Sequence, residues 1–357
     1  FEMRRDALTE ADRKRLLAQI RIGADYFLFL ADEAEKRGMP TGTYQHEPKQ
    51  ESVWLLEDSL QIGVAVCLAY AIFKDREPPF ASRLKANVEA NYRFLSQNPR
   101  DVLNAMHAQL PAPRSGGADL PNFSATANAL DGDPAVPEEW TTRELSLFLY
   151  LQLLLDPILE EDLSHAVAST ASRIMERWVP DGDGGRSYFI PFPGVGQPEV
   201  AWCHNSVGRD TGGVFPHWIL PLDWLAERYP EHPEAPRWRE AVDRFLRDYL
   251  RPAFAANPFG LLPNAWKPGE GWLHFDGLWH GMNAGYCLMA MQLFILGEKR
   301  DAPWMHAFGR AQLDWIAGLN CGMTEASKYG CVLSDRDIPE GEAVPVSMIY
   351  GVGREYA

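Results

Sequence analysis

Two kinds of helical pattern alternate along most of the chain. In the first kind, apolar residues recur at spacings of three and four, with charged residues on the opposite side, as in an amphipathic helix that has one solvent-facing side. These segments cover residues 8–38, 79–99, 160–178, 236–258 and 301–320. We expect them to form an outer layer.

Segments of the second kind are apolar on nearly all sides. They cover residues 53–73, 140–155, 214–229 and 277–297. A helix of this kind must be covered by other elements, so these four belong inside the outer layer. Pro221 interrupts the third and starts or kinks it. No segment of useful length shows the strict alternation of a half-buried strand.

Inner and outer helices that alternate in hairpins predict an all-α fold, the (α/α)6 six-hairpin toroid, in a single domain of residues 1–357. The nine predicted helices fall short of the twelve that six hairpins require. We therefore expect some hairpins to be incomplete, with one inner helix before residue 1 and a further pair after residue 320. On this interpretation the chain is part of a longer protein.

The segments that lead into the inner helices share a polar and aromatic character. They read GTYQHEPKQESVW (42–54), DGDPAVPEEW (131–140), WCHNSVGRDTGGVFPHW (202–218) and GEGWLHFDGLWH (269–280). In a toroid all inner helices run the same way, so these segments would meet at one mouth. The pattern therefore predicts a cavity lined by tryptophan, histidine and acidic residues.

Such a lining suits carbohydrate chemistry, because aromatic faces stack on sugar rings and two carboxylates can act as acid and base. Asp210 and Asp276 are the candidate catalytic carboxylates. The candidate substrate-binding residues are His46, Trp54, His204, Arg209, His217, Trp272, His274, Trp279 and His280. The alternatives are helix capping for both aspartates, a structural hydrogen bond for three of the histidines, and core packing for two of the tryptophans. These histidines and tryptophans are His46, His204, His280, Trp54 and Trp279. We expect Asp210, Asp276, Trp279 and His280 to share one pocket.

Net charge and hydropathy limit the classes of molecule that the protein is expected to bind. The net charge of -15 argues against nucleic acid and anionic membranes, and we expect no apolar run to reach the roughly 18 to 20 residues that are needed to span a bilayer. An oligosaccharide or polysaccharide substrate fits better. Glu57 and Asp58 lie inside an apolar helix, so at least one should face the cavity or meet a basic partner.

Five cysteines without a CxxC pair fit a disulfide framework poorly and favour a reducing, cytoplasmic compartment. A Cys321–Cys331 bridge stays open, as does a secreted or periplasmic location if a leader has been removed. The stretch DGDGGR (181–186) has some calcium-loop ligands but lacks the third oxygen ligand and the closing glutamate. We expect a turn there and no cofactor, with calcium as the alternative.

Three stretches resemble family 9 glycoside hydrolases, the inverting cellulase group. They are AQIRIGADYFLFL (18–30), AIFKDREPPFASRLKANVEANYRFL (71–95) and MNAGYCLMAMQLFILGEKRDAPWMHAFGRAQLDWIAGLN (282–320). The resemblance implies the six-hairpin fold and inverting hydrolysis, and it transfers the general-acid role to Glu355.

The chain departs from the family pattern in several places. It has no Asp-Ala-Gly-Asp segment for the base, no His-His-Arg element, and FDGLWHGMN (275–283) where the family has Trp-Gly-Ser-x-Arg-Tyr. We therefore expect a substrate other than plain cellulose.

Two other functions fit the same barrel. One is a polysaccharide lyase or sugar epimerase, in which Tyr44, Tyr188, His204 or His280 would act as the base. The other is a carbohydrate-binding protein without catalysis, which the missing Asp-Ala-Gly-Asp segment would favour if these residues were the whole protein. An acidic motif upstream and a carboxylate downstream in the full coding sequence would favour the hydrolase.

Overall fold

Helices dominate the part of the chain that the computed structural model describes. The described residues are 8–46, 54–109, 139–159, 161–190, 219–256, 259–263, 265–267, 272–274 and 283–316. The all-α class is confirmed for these residues. Each of the nine predicted helices has a counterpart among them.

Ten helices and four short strands make up the described residues. The helices are α1 (Glu10–Lys36), α2 (Leu56–Phe73), α3 (Pro78–Leu95), α4 (Pro99–Gln109), α5 (Thr142–Leu155), α6 (Ser164–Met175), α7 (Ile219–Arg228), α8, α9 (Asn283–Arg300) and α10 (Pro303–Ile316). Helix α8 runs from Ala235–Phe245 through a π-helical segment, Leu246–Leu250, into Arg251–Ala255. The strands are β1 (Trp178–Gly182), β2 (Arg186–Phe189), β3 (Ala265–Lys267) and β4 (Trp272–His274).

Helix α4 is absent from the helices predicted above. Asn98 begins it, because its side-chain oxygen accepts a 2.9 Å hydrogen bond from the backbone N–H of Arg100, and proline follows at the first helical position. Val102, Leu103 and Met106 are buried on one side. The signal that could have identified α4 is the Asn-Pro pair at residues 98–99, followed by these three apolar residues at helical spacing.

The sequence analysis found no alternating strand of useful length, and it missed two short antiparallel hairpins, β1 with β2 and β3 with β4. The turn predicted at residues 181–186 is confirmed. Gly184 and Gly185 adopt left-handed φ values of 70° and 74° there, which glycine does at little cost. Strands of three to five residues are too short for an alternation to stand out in the sequence.

The apolar helices are buried as their patterns predict. In α5 every residue except Leu154 is buried, which agrees with a helix that is apolar on nearly all sides. Helix α2 packs against α3, α7 against α8, and α9 against α10. Three of the predicted pairs of an inner and an outer helix are therefore helical hairpins in the structure.

The described residues fall into two compact units. The first contains α1 to α4, α5 from Leu147 onward and α6 up to Ala171. The second contains Thr141, the start of α5 up to Ser146, and the described residues from Ser172 onward. The single domain of residues 1–357 stays a prediction.

Helix α2 corrects the expectation that no apolar run is long enough to span a membrane. Its 18 residues have a mean hydropathy of 1.5, which by length and composition alone would suffice. Within the structure 61% of the helix is buried, as in the core helix of a globular protein. Its buried residues include Glu57, Gly63 and Cys67.

Candidate functional site

Residues 43–45, which follow α1, form a buried segment of the chain. The backbone N–H of Gln45 donates to the carbonyl oxygen of Leu30 at 3.2 Å, and Gln45 pairs with Trp54 in an antiparallel bridge. The adjacent Tyr44 is fully buried, and its hydroxyl donates to Oδ1 of Asn87 at 2.6 Å. The segment is therefore held at several points before it reaches His46.

Tyr44 was also a candidate base for lyase or epimerase chemistry. Burial raises the pKa of its phenol. Because removal of its proton is correspondingly harder, Tyr44 is poorly suited to act as a base. Tyr188, a second candidate for that role, is also buried, with its ring 6.0 Å from that of Tyr249.

Trp54 is enclosed at the start of α2. Its side chain is 1% exposed, and its ring meets Phe94 edge-on at 5.2 Å between centroids. The side-chain amide of Gln109 accepts from the backbone N–H of Trp54 at 2.8 Å and donates to its carbonyl oxygen. In this structure the indole has no open face on which a sugar ring could stack. Its position agrees with core packing, the alternative given above for Trp54.

His46 and Asp58 form the polar pair at this end of α2. Nδ1 of His46 lies 2.5 Å from Oδ2 of Asp58, with the two side chains 34% and 29% exposed. The preceding Glu57 is buried, and its Oε1 accepts from Nε2 of Gln61 at 2.5 Å. The expectation that Glu57 or Asp58 meets a cavity or a basic partner is confirmed, because Asp58 meets His46.

The first turn of α5 carries a second buried polar cluster. The hydroxyl of Thr141 accepts from the backbone N–H of Glu144 at 3.1 Å, while the Glu144 carboxylate accepts from the backbone N–H of Thr141 at 2.6 Å. This reciprocal pair is a capping box. Arg143 and Glu144 are 5% and 2% exposed, so both charges lie inside the protein.

This cluster extends to the chain around β1 and β2. The hydroxyl of Thr142 donates to the carbonyl oxygen of Ile190 at 2.6 Å and accepts from the buried guanidinium of Arg177 at 3.4 Å. The sequence analysis did not select these residues. The Thr-x-x-Glu spacing at residues 141–144, directly before an apolar run, is the signal that could have identified them.

Most of the predicted site lies outside the described residues. That applies to the candidate catalytic residues Asp210, Asp276 and Glu355 and to the candidate ligands His204, Arg209, His217, Trp279 and His280. The pocket predicted for Asp210, Asp276, Trp279 and His280 stays a prediction. Trp272 and His274 belong to β4, where their backbones pair with Lys267 and Ala265.

Within the described ranges, no group of three or more histidine, cysteine, aspartate or glutamate side chains is arranged to hold a metal ion. In the turn that resembles a calcium loop, Asp181 accepts a 2.6 Å hydrogen bond from Nη2 of Arg244. That carboxylate therefore serves an ion pair between the hairpin and α8.

No protein-family model matches the chain. No curated protein matches it either. The likeness to family 9 glycoside hydrolases therefore depends on the sequence segments quoted above.

Proposed function

We propose that the protein is a glycoside hydrolase that cleaves an oligosaccharide with inversion, on an (α/α)6 toroid. The observation that carries the proposal is the position of the ionisable residues on α2 and α5, two of the apolar helices. The first turn of α2 contains Glu57 and Asp58, and that of α5 contains Arg143 and Glu144, whereas the remainder of each helix is largely apolar. Such helices carry ionisable groups at their N-terminal ends, and in a toroid the N-terminal ends of the inner helices would surround the mouth.

The packing of the helices supports the architecture. The pairs α2 with α3, α7 with α8 and α9 with α10 are hairpins of an apolar and an amphipathic helix, which is the repeating unit of the toroid. The short strand hairpins β1–β2 and β3–β4 lie between helices, where a helical toroid accommodates insertions.

The proposed reaction uses two carboxyl groups on opposite sides of the glycosidic bond. A protonated acid gives its proton to the leaving oxygen, while a carboxylate takes a proton from the water that attacks the anomeric carbon. We assign the acid to Glu355 and the base to Asp210 or Asp276. An inverting enzyme leaves room for that water, with its carboxyl groups about 6.5 to 9.5 Å apart.

His46 and the other polar candidates would hold sugar hydroxyls in this scheme. The burial of Tyr44 and Tyr188 argues against the lyase or epimerase alternative in which either serves as the base. A hydrolase uses carboxyl groups and needs no phenolate, so the burial of Tyr44 and Tyr188 is compatible with it.

The test uses protein produced from the complete coding sequence and a panel of defined oligosaccharides. We expect new reducing ends, and proton NMR early in the reaction should show the product anomer opposite to that of the substrate. Glu355→Gln, Asp210→Asn and Asp276→Asn should each be assayed beside Asp32→Asn, a control that changes an exposed acid on α1. The acid variant and the true base variant should lose at least about a hundredfold in kcat, and the control should not.

Three results would contradict the proposal. An ultraviolet-absorbing unsaturated product would indicate a lyase, and retention of the anomer would exclude the inverting mechanism. Binding of a sugar without turnover by the full-length protein would indicate a carbohydrate-binding protein.

A further inference from the structure

We infer that the protein forms a dimer in which helix α1 packs antiparallel against α1 of a second copy of the chain. The inference concerns one exposed face of α1 and does not depend on the proposed function. The other side of α1 carries most of its buried residues, and the helix contacts α2 and α3.

Three large apolar side chains form the exposed face, which we call the apolar face of α1. Ile22, Tyr26 and Phe29 are 62%, 45% and 42% exposed. Their spacing of four and three residues places them on one side of the helix. The rings of Tyr26 and Phe29 stack with their centroids 6.1 Å apart. Single exposed apolar residues are ordinary in globular proteins, but neighbouring ones that form a patch are typical of an interaction surface.

The first half of α1 has no buried residue. Every position from 10 to 23 is exposed or half-buried, and the first buried residue is Ala24. The 27 residues of α1 extend about 40 Å. A specific interface buries about 1,000 Å² or more in total, so the contact has to follow most of α1 and not only the apolar face.

The charges of α1 indicate which partner suits this face. Residues 13–15 are Arg-Lys-Arg and residues 32–35 are Asp-Glu-Ala-Glu, so the two ends of the helix carry opposite charge. Two copies of α1 in antiparallel orientation bring each basic end beside an acidic end, whereas a parallel pair would bring like charges together. A second copy of the chain is therefore a partner whose charge complements α1.

The spacing of residues defines a register for this pair. Positions 15, 19, 22, 26, 29 and 33 follow the alternation of four and three residues that is typical of a coiled-coil seam. With a two-fold axis at position 24, Ile22 lies opposite the partner's Tyr26, and Arg15 lies opposite the partner's Glu33. Glu33 accepts from Lys36 of its own helix at 2.7 Å, and a carboxylate has further lone pairs that can accept from the partner's arginine.

The first measurement is sedimentation equilibrium of protein produced from the complete coding sequence. We expect the wild type to have twice the mass of one chain. Ile22→Glu places a carboxylate in the centre of the contact on each helix, and we expect it to raise the dissociation constant of the dimer at least about a hundredfold. The control is Leu313→Glu, which changes an apolar residue of α10 that is 40% exposed and should leave the dissociation constant unchanged. Thermal unfolding of each variant checks that it is folded.

The second measurement exchanges the charges at the two ends of the seam. Arg15→Glu and Glu33→Arg each bring like charges together, and each should raise the dissociation constant about tenfold at low salt. The double variant exchanges both charges and should return the dissociation constant to within about threefold of the wild-type value. That restoration separates a direct contact between Arg15 and the partner's Glu33 from an effect of either substitution on α1 alone.

A wild type that is monomeric at every concentration overturns the inference. If that monomer loses much more thermal stability in Ile22→Glu than in Leu313→Glu, another segment of the same chain covers the apolar face, and the inference is wrong for that reason. A dimer that Ile22→Glu leaves intact uses another surface, which also overturns it. Failure of the double variant to recover would exclude the antiparallel register. The proposed function is tested separately, by the sugar assay.

Discussion

The side chain of Asn91 on α3 is joined to the backbone of Gly42 by a 2.7 Å hydrogen bond from Nδ2 to the carbonyl oxygen, and both residues are buried. The other side of the same amide faces α2, where a Cβ added at Gly63 would lie 2.4 Å from Oδ1 of Asn91. One asparagine therefore fills the space between α3, α2 and the segment that leads to His46. The absence of side chains at both glycines makes this close packing possible.

Gly42→Ala should destabilise the protein strongly. Gly42 has a φ of 93°, and a Cβ there would lie 2.3 Å from the backbone oxygen of Ala90, so strain and a backbone clash add together. We expect a loss of about 3 kcal/mol or more in the free energy of unfolding. Gly38→Ala is the matched control, because Gly38 has a φ of 74° but open space around its Cβ position. It should cost only about 1 to 2 kcal/mol.

Urea unfolding of both variants measures the two losses. Equal losses would mean that contact with α3 contributes nothing at Gly42, and that the left-handed backbone explains the whole effect.

Asp223 should be the most sensitive residue of the ion-pair cluster at the end of α9. It is 7% exposed and accepts from Lys299 at 3.0 Å and from Arg300 at 2.6 Å. Asp223→Asn removes the charge that both cations share, and we expect it to cost about 2 to 3 kcal/mol. Glu227→Gln changes a carboxylate that is 56% exposed and bonded to the same Lys299, and it should cost less than about 1 kcal/mol.

Thermal unfolding at low and at high salt tests this difference. Comparable losses for the two variants would show that the burial of Asp223 has no energetic importance. A large loss for Glu227→Gln that disappears in salt would assign the stabilisation to surface charge instead.

Periodicity predicted the helices well because it reports burial directly. In α5 the absence of a polar side predicted a helix covered all round, and only Leu154 is less than buried. Helix α4 was missed because its 11 residues bury few side chains, and its Asn-Pro start was not used as a signal. The β1–β2 hairpin was missed because its pairing depends on contacts across a turn, which a five-residue pattern does not specify.

The candidate site was predictable one residue at a time but not as a pair. His46 was selected for its place before an apolar helix, and Asp58 for its charge within that helix. Their contact depends on how the chain returns from Gln45 to Trp54, a bridge between residues nine positions apart. The spacing of residue types along the chain does not specify that bridge, so the contact between His46 and Asp58 could be found only from the structure.

Tyr150 should make the protein sensitive to alkaline pH. Burial raises the pKa of its phenol from 10.0 to about 12. The folded state therefore holds this proton more tightly than the unfolded state does. The contribution of the protonated phenol to the free energy of unfolding is complete below pH 10 and is lost as the pH rises through about 12. A difference of about two pKa units corresponds to about 2 to 3 kcal/mol.

Tyr150→Phe has no proton to release, so its stability should fall less than that of the wild type over this pH interval. Urea unfolding at pH 7 supplies the baseline for each protein, because the substitution also removes the hydroxyl. Parallel decreases in the two proteins would show that other groups account for the alkaline loss.

Cys67 should be protected from thiol reagents until the protein unfolds. Its side chain is 1% exposed inside α2, and burial raises the pKa of its thiol, so both access and the thiolate population are low. Cys287 on α9 is only partly buried, and burial also raises the pKa of its thiol. Timed alkylation with iodoacetamide, followed by peptide mass spectrometry, should label Cys287 at least about tenfold faster than Cys67 in the native protein. In urea the two rates should converge, whereas rapid native labelling of Cys67 would show that α2 opens readily and would contradict its place in the core.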